Sequence, residues 1–352
     1  MPKQTSVNVA VIGAGAIGLD HIASFQKHPA ARVLAVAENN AERGRDAATR
    51  FNVPATVPDY RDVLKRADID IVSIALPTYL HAEAALDALH AGKHVMIDKP
   101  IATSAADAAK ILALAKQKKR KVMVGQNQRF AGAAQIVRQQ VLEGKLGDVY
   151  HARALWQRRS GIPRIGSWFT QKKFAGGGCT YDIGVHALDL ALHLIDDFKP
   201  AAVSGQTFAK YGPRGLGDGS WGKSEIDPKK PFDVDDFCVA LVKMKSGRTV
   251  QLEVSWAAAQ EQHDINGVQL FGTEGGAFTN PPRVYHPVKQ GYETTHLTPA
   301  PVFVPENRMV HFVDYVLGNA EPYVRPEQSL AVQKILDAIY ESSRTGREVR
   351  IK

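Results

Sequence analysis

A glycine-rich turn near the start of the chain places the strongest constraint on its fold. The sequence reads VAVIGAGAIGLDH, in which an apolar run ends at Gly13 and a helical pattern begins beyond Gly15. In such a turn the first glycine permits a sharp bend, the second lets backbone approach a pyrophosphate, and the third, Gly18, lets helix pack on strand. The helix N-terminus then faces an anion. The pattern predicts a strand, a turn and a helix that bind a dinucleotide through Gly13, Gly15, Ala16, Ile17 and Gly18.

An acidic residue follows at the spacing that a bound ribose requires. Glu38 ends the second predicted strand, twenty residues after Gly18, where a carboxylate accepts hydrogen bonds from ribose hydroxyl groups. The same carboxylate would repel a 2′-phosphate, so it favours NAD over NADP. Arg43 and Arg45 lie close behind and could bind that phosphate, which leaves NADP open. The alternative is a structural glycine turn with a solvated Glu38, and the strand–turn–helix context argues against it.

Apolar strands alternate with helical segments throughout the first part of the chain. DIDIVSIALP and KHVMID are typical of strands, and the helical pattern between them, HAEAALDALHAG, ends in glycine. Strands that alternate with helices of this size predict βαβ units and a parallel sheet. We therefore expect an α/β Rossmann domain, with a doubly wound parallel sheet, over residues 1–125.

The pattern changes after Gly125. GDVYHARALW is typical of a long strand, and FCVALVKMKSGRTVQLEVSWA and GVQLFGTEGGAFTN predict two hairpins. In the second arm of the first hairpin, apolar residues from Val250 to Trp256 alternate with polar ones, as in a strand with one buried face. Residues 126–352 are therefore expected to form an α+β domain with a mainly antiparallel sheet. The sequence leaves open whether the C-terminal helix packs back on the first domain.

Composition excludes several classes of protein. With 44% hydrophobic and 23% charged residues in 352, the chain is typical of a soluble two-domain protein, and it has no apolar stretch long enough to span a membrane. The net charge is +8, but the dense basic run Lys116–Lys121 is typical of a solvated helix end rather than a nucleic-acid surface. The two cysteines, Cys179 and Cys238, favour a reducing cytoplasm.

An apolar helical segment, DIGVHALDLALH, carries four ionisable residues on one face. Asp182, His186, Asp189 and His193 are spaced at i, i+4, i+7 and i+11, and an apolar helix does not turn charge toward a core without compensation. The stripe could be a metal site, an acid–base pair or a polar seam. Its ends lie roughly 16 Å apart along the helix axis, so the four cannot bind one ion, and no metal is expected. Asp189 and His193 are best explained as a polar seam.

A lysine stands at the carboxyl end of the fourth main strand, in MIDKPIA. Ligands bind at that end of a parallel sheet, so Lys99 is either a solvated strand end or a cation aimed into a cleft. Pro100 restricts the turn that follows, which favours a fixed orientation for the lysine. A cationic Lys99 near Asp182 and His186 would also oppose a divalent ion bound by those two residues.

Five segments together resemble the Gfo/Idh/MocA family of oxidoreductases, which includes glucose–fructose oxidoreductase and inositol dehydrogenase. They are the glycine motif, LPTYLHAEAALDALHAGKHVMIDKPIA, VGQNQRF, GKLGDV and GGGCTYDIGVHALDLALHL, and they extend over nearly the whole chain. The resemblance implies a Rossmann domain followed by a domain with an open-faced antiparallel sheet. It also implies oxidation or reduction of a secondary alcohol of a sugar or cyclitol. Asp98 departs from the family, which usually has glutamate before the lysine.

The resemblance assigns the reaction to Lys99, Asp182 and His186. Oxidation of a secondary alcohol requires transfer of a hydride to a nicotinamide and loss of a proton from the hydroxyl group, and histidine is suited to accept that proton. On this basis His186 is the general base, and Lys99 stabilises the developing alkoxide and takes part in the proton relay. Asp182 binds a neighbouring hydroxyl group and orients the pair. How Lys99 and His186 share the proton is left open, because coupled groups titrate together.

The resemblance also implies contacts around these three residues. Along the cofactor it places Pro77, Thr78, His81, Asp98, Lys99 and Gln126, although His81 could equally be an ordinary helix-start residue. The expected substrate contacts are Lys99, Asn127, Gln128, Trp156, Gln157, Arg158, Arg159, Asp182 and His186. Aromatic rings stack on sugar faces, and arginines bind hydroxyl groups. A surface loop with solvated arginines explains any single residue between 156 and 159 equally well.

The expected function is NAD-dependent hydride transfer to or from a sugar, glycoside, anhydrosugar or cyclitol, by a homodimer or homotetramer in the cytoplasm. The run from Arg159 to His186 resembles glycoside and anhydrosugar dehydrogenases, which favours a sugar derivative over a simple inositol. Three alternatives remain: net glycoside hydrolysis by transient oxidation and elimination with tightly bound NAD, a non-catalytic dinucleotide sensor, and an NADPH-dependent reductase. Retention of Lys99 and His186 argues against the sensor, and Glu38 argues against NADPH.

Overall fold

The chain folds into two units, each with its own sheet. The structure is a computed structural model that describes residues 5–220 and 224–351. The first unit consists mainly of residues 5–125 and 307–330, and the second contains residues 126–220, 225–306 and 331–351. No helix within the described residues combines the length and the apolar character that crossing a bilayer requires.

Six parallel strands form the sheet of the first unit. They are β1 (Val7–Ile12), β2 (Ala31–Ala37), β3 (Thr56–Val57), β4 (Ile71–Ile74), β5 (His94–Ile97) and β6 (Val122–Val124). Their order across the sheet is β3-β2-β1-β4-β5-β6, and all neighbouring pairs are parallel. The order reverses between β1 and β4, the place where doubly wound sheets bind ligands. The Rossmann fold predicted for this part of the chain is confirmed.

Helices connect these strands. They are α1 (Ala16–Phe25), α2 (Ala41–Phe51), α3 (Tyr60–Leu64), α4 (His81–His90) and α5 (Ala105–Lys118). Polar side chains cap three of them. Asn40 accepts a hydrogen bond from the Arg43 backbone at the start of α2, Asp59 accepts one from the Arg61 backbone at the start of α3, and Ser104 accepts one from the Asp107 backbone at the start of α5. Strand β4 is buried along its whole length, as expected for a parallel sheet covered on both faces.

Nine strands form the sheet of the second unit. They are β7 (Val149–Arg158), β8 (Pro200–Phe208), β9 (Phe237–Met244), β10 (Thr249–Ser255), β11 (Asp264–Gly272), β12 (Gly276–Thr279), β13 (Pro282–Val288), β14 (Gly291–His296) and β15 (Val349–Arg350). Their order is β14-β13-β12-β11-β7-β10-β9-β8-β15. The pair β7–β10 is parallel and the other pairs are antiparallel. The mainly antiparallel sheet and both predicted hairpins, β9–β10 and β11–β12, are confirmed.

One face of this sheet is packed and the other is open. Val250, Leu252 and Val254 of β10 are fully buried, whereas Gln251 and Glu253, which point the other way, are partly accessible. The helices of this unit include α6 (Gly132–Leu142), α7 (Lys172–Ala175) and α8 (Val185–Leu194). Every residue of α8 is buried, so each of its polar side chains needs compensation within the core.

Two helices close the chain, α9 (Arg308–Leu317) and α10 (Pro326–Thr345). Asn307 caps α9 by accepting hydrogen bonds from the first backbone N–H groups of the helix, and its amide donates to the carbonyl oxygen of Ser24 on α1. Arg308 Nη2 lies 3.0 Å from Asp20 Oδ2, also on α1. These contacts explain why residues 307–330 belong to the first unit although they are distant from it in sequence.

Candidate functional site

The glycine turn has the shape that a pyrophosphate requires. Gly13 has a φ of +94°, and a Cβ atom there would lie 2.5 Å from the carbonyl oxygen of Ala75. A Cβ atom at Gly18 would overlap the carbonyl oxygen of Gly13. Gly15, in contrast, has open space around its Cα, so an anion can approach the backbone at the start of α1. The next exposed residues are Ala16 and Ile17.

The Glu38 carboxylate lies beside this turn. Its Oε2 accepts a hydrogen bond of 2.8 Å from the Ala14 backbone, and its Oε1 accepts one of 3.0 Å from the Asn40 backbone and one of 2.8 Å from Arg43 Nη2. Burial acts to raise the pKa of Glu38, but these hydrogen bonds and the Arg43 charge hold that pKa below its ordinary value. A cleft of about 640 Å³ opens here, lined in part by Ala14, Asn40 and Arg43. The ionised carboxylate can accept hydrogen bonds from ribose, and it already engages Arg43.

His81 joins two loops at the carboxyl ends of the parallel strands. Its Nδ1 lies 2.8 Å from the carbonyl oxygen of Pro100, and its Nε2 lies 2.8 Å from that of Leu76. The ring is buried, and burial lowers its pKa although both carbonyl groups favour the protonated form. His81 therefore ties the turn after β5 to the loop after β4. A contact between His81 and a cofactor stays a prediction.

Lys99 lies just beyond the carboxyl end of β5. The backbone N–H of Asp98 still donates to the carbonyl oxygen of Ile74 on β4, at 3.0 Å, whereas Lys99 lies beyond that last ladder bond and is partly accessible. Pro77 and Thr78 follow β4 at the same edge of the sheet. The lysine thus stands at the carboxyl edge of the Rossmann sheet, where its sequence position predicted it.

Asp182 and His186 lie one turn apart at the start of α8. Asp182 belongs to the π-helical turn Thr180–Gly184, which leads directly into α8, and both side chains are 8% exposed. Trp256 Nε1 donates a hydrogen bond of 2.8 Å to Asp182 Oδ2, and the ring centroids of Trp156 and His186 are 5.7 Å apart. Trp156 near the end of β7 and Trp256 just after β10 therefore contact His186 and Asp182.

The second half of the polar stripe has structural partners. Arg129 donates two hydrogen bonds to the Asp189 carboxylate, of 2.7 and 2.6 Å, and both side chains are buried. His193 is buried as well, and burial together with the charges of Arg129 and Arg138 lowers its pKa well below the ordinary value. This arrangement agrees with the polar seam expected from the sequence, and it anchors α8 in the core.

Asp235 organises the glycine run that precedes Asp182. Its carboxylate accepts hydrogen bonds from the backbone N–H groups of Gly178 and Thr180, at 2.8 and 3.0 Å, and from the hydroxyl groups of Thr180 and Tyr340. A Cβ atom at Gly178 would overlap the backbone of Asp235. The glycine therefore permits close packing of this segment on Asp235, which fixes the entry to α8.

The four residues from Trp156 to Arg159 do not share one environment. Trp156 faces α8, and its Nε1 is buried without a hydrogen-bond partner among the described residues. Gln157 lies on the open face of the sheet and donates to Glu253. Arg158 lies 3.6 Å from a carboxylate at the start of β11, and Arg159 donates to carbonyl oxygens of the loop before β11. Of these four, Trp156 lies next to His186, and substrate contacts of all four residues stay predictions.

The segment after β6 carries three further predicted contacts. Gln126 is 2% exposed, and its Oε1 has no hydrogen-bond partner within residues 5–220 and 224–351. A buried amide oxygen without a partner costs free energy, so Gln126 fits a bound group that donates a hydrogen bond. Asn127 is exposed and Gln128 is partly exposed.

Two family models cover most of the chain. Residues 7–126 match the oxidoreductase family with an NAD-binding Rossmann fold, and residues 134–278 match the GFO/IDH/MocA C-terminal domain. The chain belongs to the Gfo/Idh/MocA oxidoreductase family. The family and the enzyme class predicted from the sequence are confirmed.

Three comparisons show which known proteins this Gfo/Idh/MocA oxidoreductase resembles in sequence and structure. It is 29% identical to D-glucoside 3-dehydrogenase of Escherichia coli, over 98% of this chain and 97% of that protein. It is 30% identical to levoglucosan dehydrogenase of Pseudarthrobacter phenanthrenivorans, over 78% of this chain and 74% of that protein. The solved structure of a levoglucosan dehydrogenase in complex with NADH matches with a TM-score of 0.83 at 25% identity, over 99% of each chain.

Replacing Glu38 by serine is expected to weaken NAD binding by this oxidoreductase and to admit NADP. The change removes the acceptor for ribose hydroxyl groups and releases Arg43, which can then face a 2′-phosphate. A hydrogen bond to a charged group contributes about 1.5–3 kcal/mol, so the KM for NAD should rise by about 10- to 100-fold. Steady-state rates with each cofactor measure the change.

Glu42 offers a matched control for this substitution. It is exposed in the first turn of α2, carries the same charge and lines the same cleft, but no hydrogen bond within the described residues joins it to the backbone of the glycine turn. Glu42→Gln should leave the KM for NAD within about twofold. An unaltered preference for NAD in the Glu38→Ser enzyme would contradict the assignment of Glu38.

Replacing Trp256 by phenylalanine is expected to lower kcat by about tenfold, the equivalent of ~1.4 kcal/mol. Phenylalanine keeps most of the buried aromatic surface but removes the N–H group donated to Asp182. The buried carboxylate then loses a partner. In an Asp182→Ala background the same substitution should have no further effect on kcat. Equal effects of Trp256→Phe on kcat in both backgrounds would show that Trp256 does not act through Asp182.

Proposed function

We propose that this oxidoreductase transfers a hydride between NAD and a secondary alcohol of a sugar or sugar derivative. The observation that carries the proposal is the buried pair Asp182 and His186, held one turn apart by two tryptophans. Two relatives are named for a glucoside and for levoglucosan, which supports a glycoside or anhydrosugar over a simple inositol. NAD is the proposed cofactor because residues 7–126 match an NAD-binding Rossmann fold and Glu38 is ionised beside the glycine turn.

In the proposed reaction, His186 accepts the proton of the substrate hydroxyl group. Bound NAD would accept the hydride that leaves the carbon bearing that hydroxyl group. The C–H bond and the O–H bond both break, and the carbon–oxygen bond becomes a carbonyl. An imidazole suits the proton-accepting role because its pKa lies near neutral pH. Trp156 restricts the ring of His186 by packing beside it.

Lys99 and Asp182 complete the proposed chemistry. The ammonium group of Lys99 stabilises the alkoxide that develops as the proton leaves, and it takes part in the proton relay. Asp182 accepts a hydrogen bond from a neighbouring sugar hydroxyl group and orients the substrate. The proposal requires Lys99 and His186 to meet at one hydroxyl group when cofactor and substrate are bound.

A substrate panel tests this function. Polyols, inositols, aldoses, anhydrosugars and glycosides are mixed with the enzyme and NAD, and formation of NADH is followed by absorbance. We expect turnover with a glycoside or an anhydrosugar. Release of an aglycone without net NADH would indicate the hydrolytic alternative. Tight NAD binding without turnover of any compound would indicate a dinucleotide sensor, and oxidation of NADPH by keto sugars alone would indicate a reductase.

We infer a homodimer or homotetramer from the open face of the nine-stranded sheet. Leu241 and Phe208 on neighbouring strands of that face are 40% and 37% exposed, and exposed apolar patches favour association. Leu241→Glu should therefore shift the enzyme toward monomers in analytical ultracentrifugation. Leu142 of α6 is 55% exposed, and Leu142→Glu is the matched control. An unchanged assembly in the Leu241→Glu variant would exclude this face.

The cytoplasm is the proposed location. Cys179 and Cys238 are buried, unpaired thiols, as is typical of proteins in a reducing compartment. The proposed partners are a small-molecule substrate and further copies of the chain rather than nucleic acid or a membrane, because the run Lys116–Lys121 closes α5 as an ordinary basic helix end.

A further inference from the structure

A buried polar cluster lies behind Lys99 within the first unit. The side chain of Asp98, the preceding residue, is 15% exposed, and its Oδ1 lies 3.8 Å from Nε2 of His21 on α1. The His21 ring is fully buried, and its Nδ1 lies 2.9 Å from the Ser73 hydroxyl group on β4. The cluster thus links α1, β4 and the end of β5.

Arg308 of α9 lies near the same carboxylate, on the other side of the space above Gly125. A Cβ atom at Gly125 would lie 3.1 Å from Asp98 Oδ1 and 3.4 Å from Arg308 Nε, so the absent side chain of the glycine leaves room for the two charged groups. Arg308 Nε is buried without a hydrogen-bond partner among the described residues, whereas Nη2 binds Asp20. The Nη2 end of the guanidinium therefore docks α9 on α1, and its Nε lies near Gly125, as Asp98 Oδ1 does.

The charges around Asp98 favour its ionised form. Burial acts to raise the pKa of this carboxyl group, but the contact with His21 and the positive charges of Lys99 and Arg308 hold the pKa well below its ordinary value. Burial lowers the pKa of His21, against the opposing effect of Asp98 and Asp20, so the imidazole is neutral at pH 7. Lys99 and Arg308 supply further positive charge near Asp98.

We propose that Arg308 and His21 are positioning residues for Lys99 and act through Asp98. This inference rests on the role proposed above for Lys99. Asp98 is the last residue that the sheet holds through its backbone. Contacts made by its side chain therefore restrict the chain at the point where Lys99 begins to leave the sheet. The gap of 3.8 Å to His21 exceeds a hydrogen bond. No hydrogen bond to His21 therefore fixes the carboxylate, and the nearby charges of Lys99 and Arg308 add to its stabilisation.

Arg308→Gln and Asp20→Asn together test this role. Both substitutions break the ion pair that docks α9 on α1, but Arg308→Gln also removes the positive charge beside Asp98. We expect Arg308→Gln to lower kcat about tenfold with the KM for NAD within about twofold, because a small misplacement of a catalytic group costs rate. Asp20→Asn should keep the wild-type kcat, and Arg308→Lys should restore most of it. Equal losses in Arg308→Gln and Asp20→Asn would reduce Arg308 to a docking residue and overturn the proposal.

The titration of Asp98 supplies a readout that needs no substrate. In protein labelled at the aspartate side-chain carbons, with the signal assigned by Asp98→Asn, Arg308→Gln should raise the pKa of Asp98 above its wild-type value, and Asp20→Asn should not. An unaltered pKa of Asp98 in Arg308→Gln would show that the charge of Arg308 does not act on Asp98, and it would overturn the proposal. If the expected titration is found but the wild type oxidises no sugar, the proposed function is wrong, whereas the interaction of Arg308 with Asp98 is supported. If the wild type is active and Arg308→Gln keeps its kcat, the positioning role fails and the function stands.

Discussion

Replacing His186 by asparagine is expected to lower kcat by about 10²- to 10⁴-fold, the usual contribution of a general base. Asparagine fills much of the space of the imidazole, so the packing of α8 beside Trp156 is largely kept. The KM for NAD should stay within about twofold, because the proposed cofactor contacts are the glycine turn and Glu38 rather than His186. Steady-state kinetics with NAD and the best sugar of the panel measure both constants.

His193 provides the matched control on the same helix. It is buried two turns further along α8, and it lies beside Arg129 and Arg138 rather than at the proposed site. His193→Asn should therefore alter the free energy of unfolding while kcat stays within about twofold. Wild-type turnover in the His186→Asn enzyme would show that another group takes the proton.

The glycine turn could be predicted from the sequence because its constraints are local. The bend at Gly13 and the close approach at Gly18 involve atoms of the same short segment and the adjoining strand. The hairpin β9–β10 was predictable for a similar reason, since alternation from Val250 onward reports one buried face directly. The same alternation separates Gln157 from Trp156 on β7, although the sequence predicts substrate contacts for both.

The partners of the buried polar side chains could not be predicted, because they come from distant segments. Trp256 is separated from Asp182 by 74 residues and Arg129 from Asp189 by 60. The alternating pattern placed Trp256 on the inner face but did not indicate where its indole N–H points. Only the packing of whole elements determines such pairs, and the same holds for the approach of Arg308 to Asp98.

Replacing Arg129 by methionine is expected to lower the free energy of unfolding by about 3–5 kcal/mol. The substitution keeps an unbranched stem of similar length but leaves the carboxylate of Asp189 buried without the two hydrogen bonds that it now accepts. An uncompensated charge in the core is costly because the low dielectric there disfavours ionisation. Denaturant unfolding at neutral pH measures the loss.

The double variant Arg129→Met with Asp189→Leu identifies the source of that loss. Because two well-packed apolar groups often replace a buried ion pair at little cost, the double variant should be more stable than Arg129→Met alone, with a coupling free energy above ~2 kcal/mol. Arg344→Met is the control, since Arg344 makes a bidentate but exposed pair with Glu341 and should change the free energy of unfolding far less than Arg129→Met does. Additive effects of the two core substitutions would mean that the pair does not anchor α8. The position of His186 would then depend on Asp235 and Trp256 at the start of the helix.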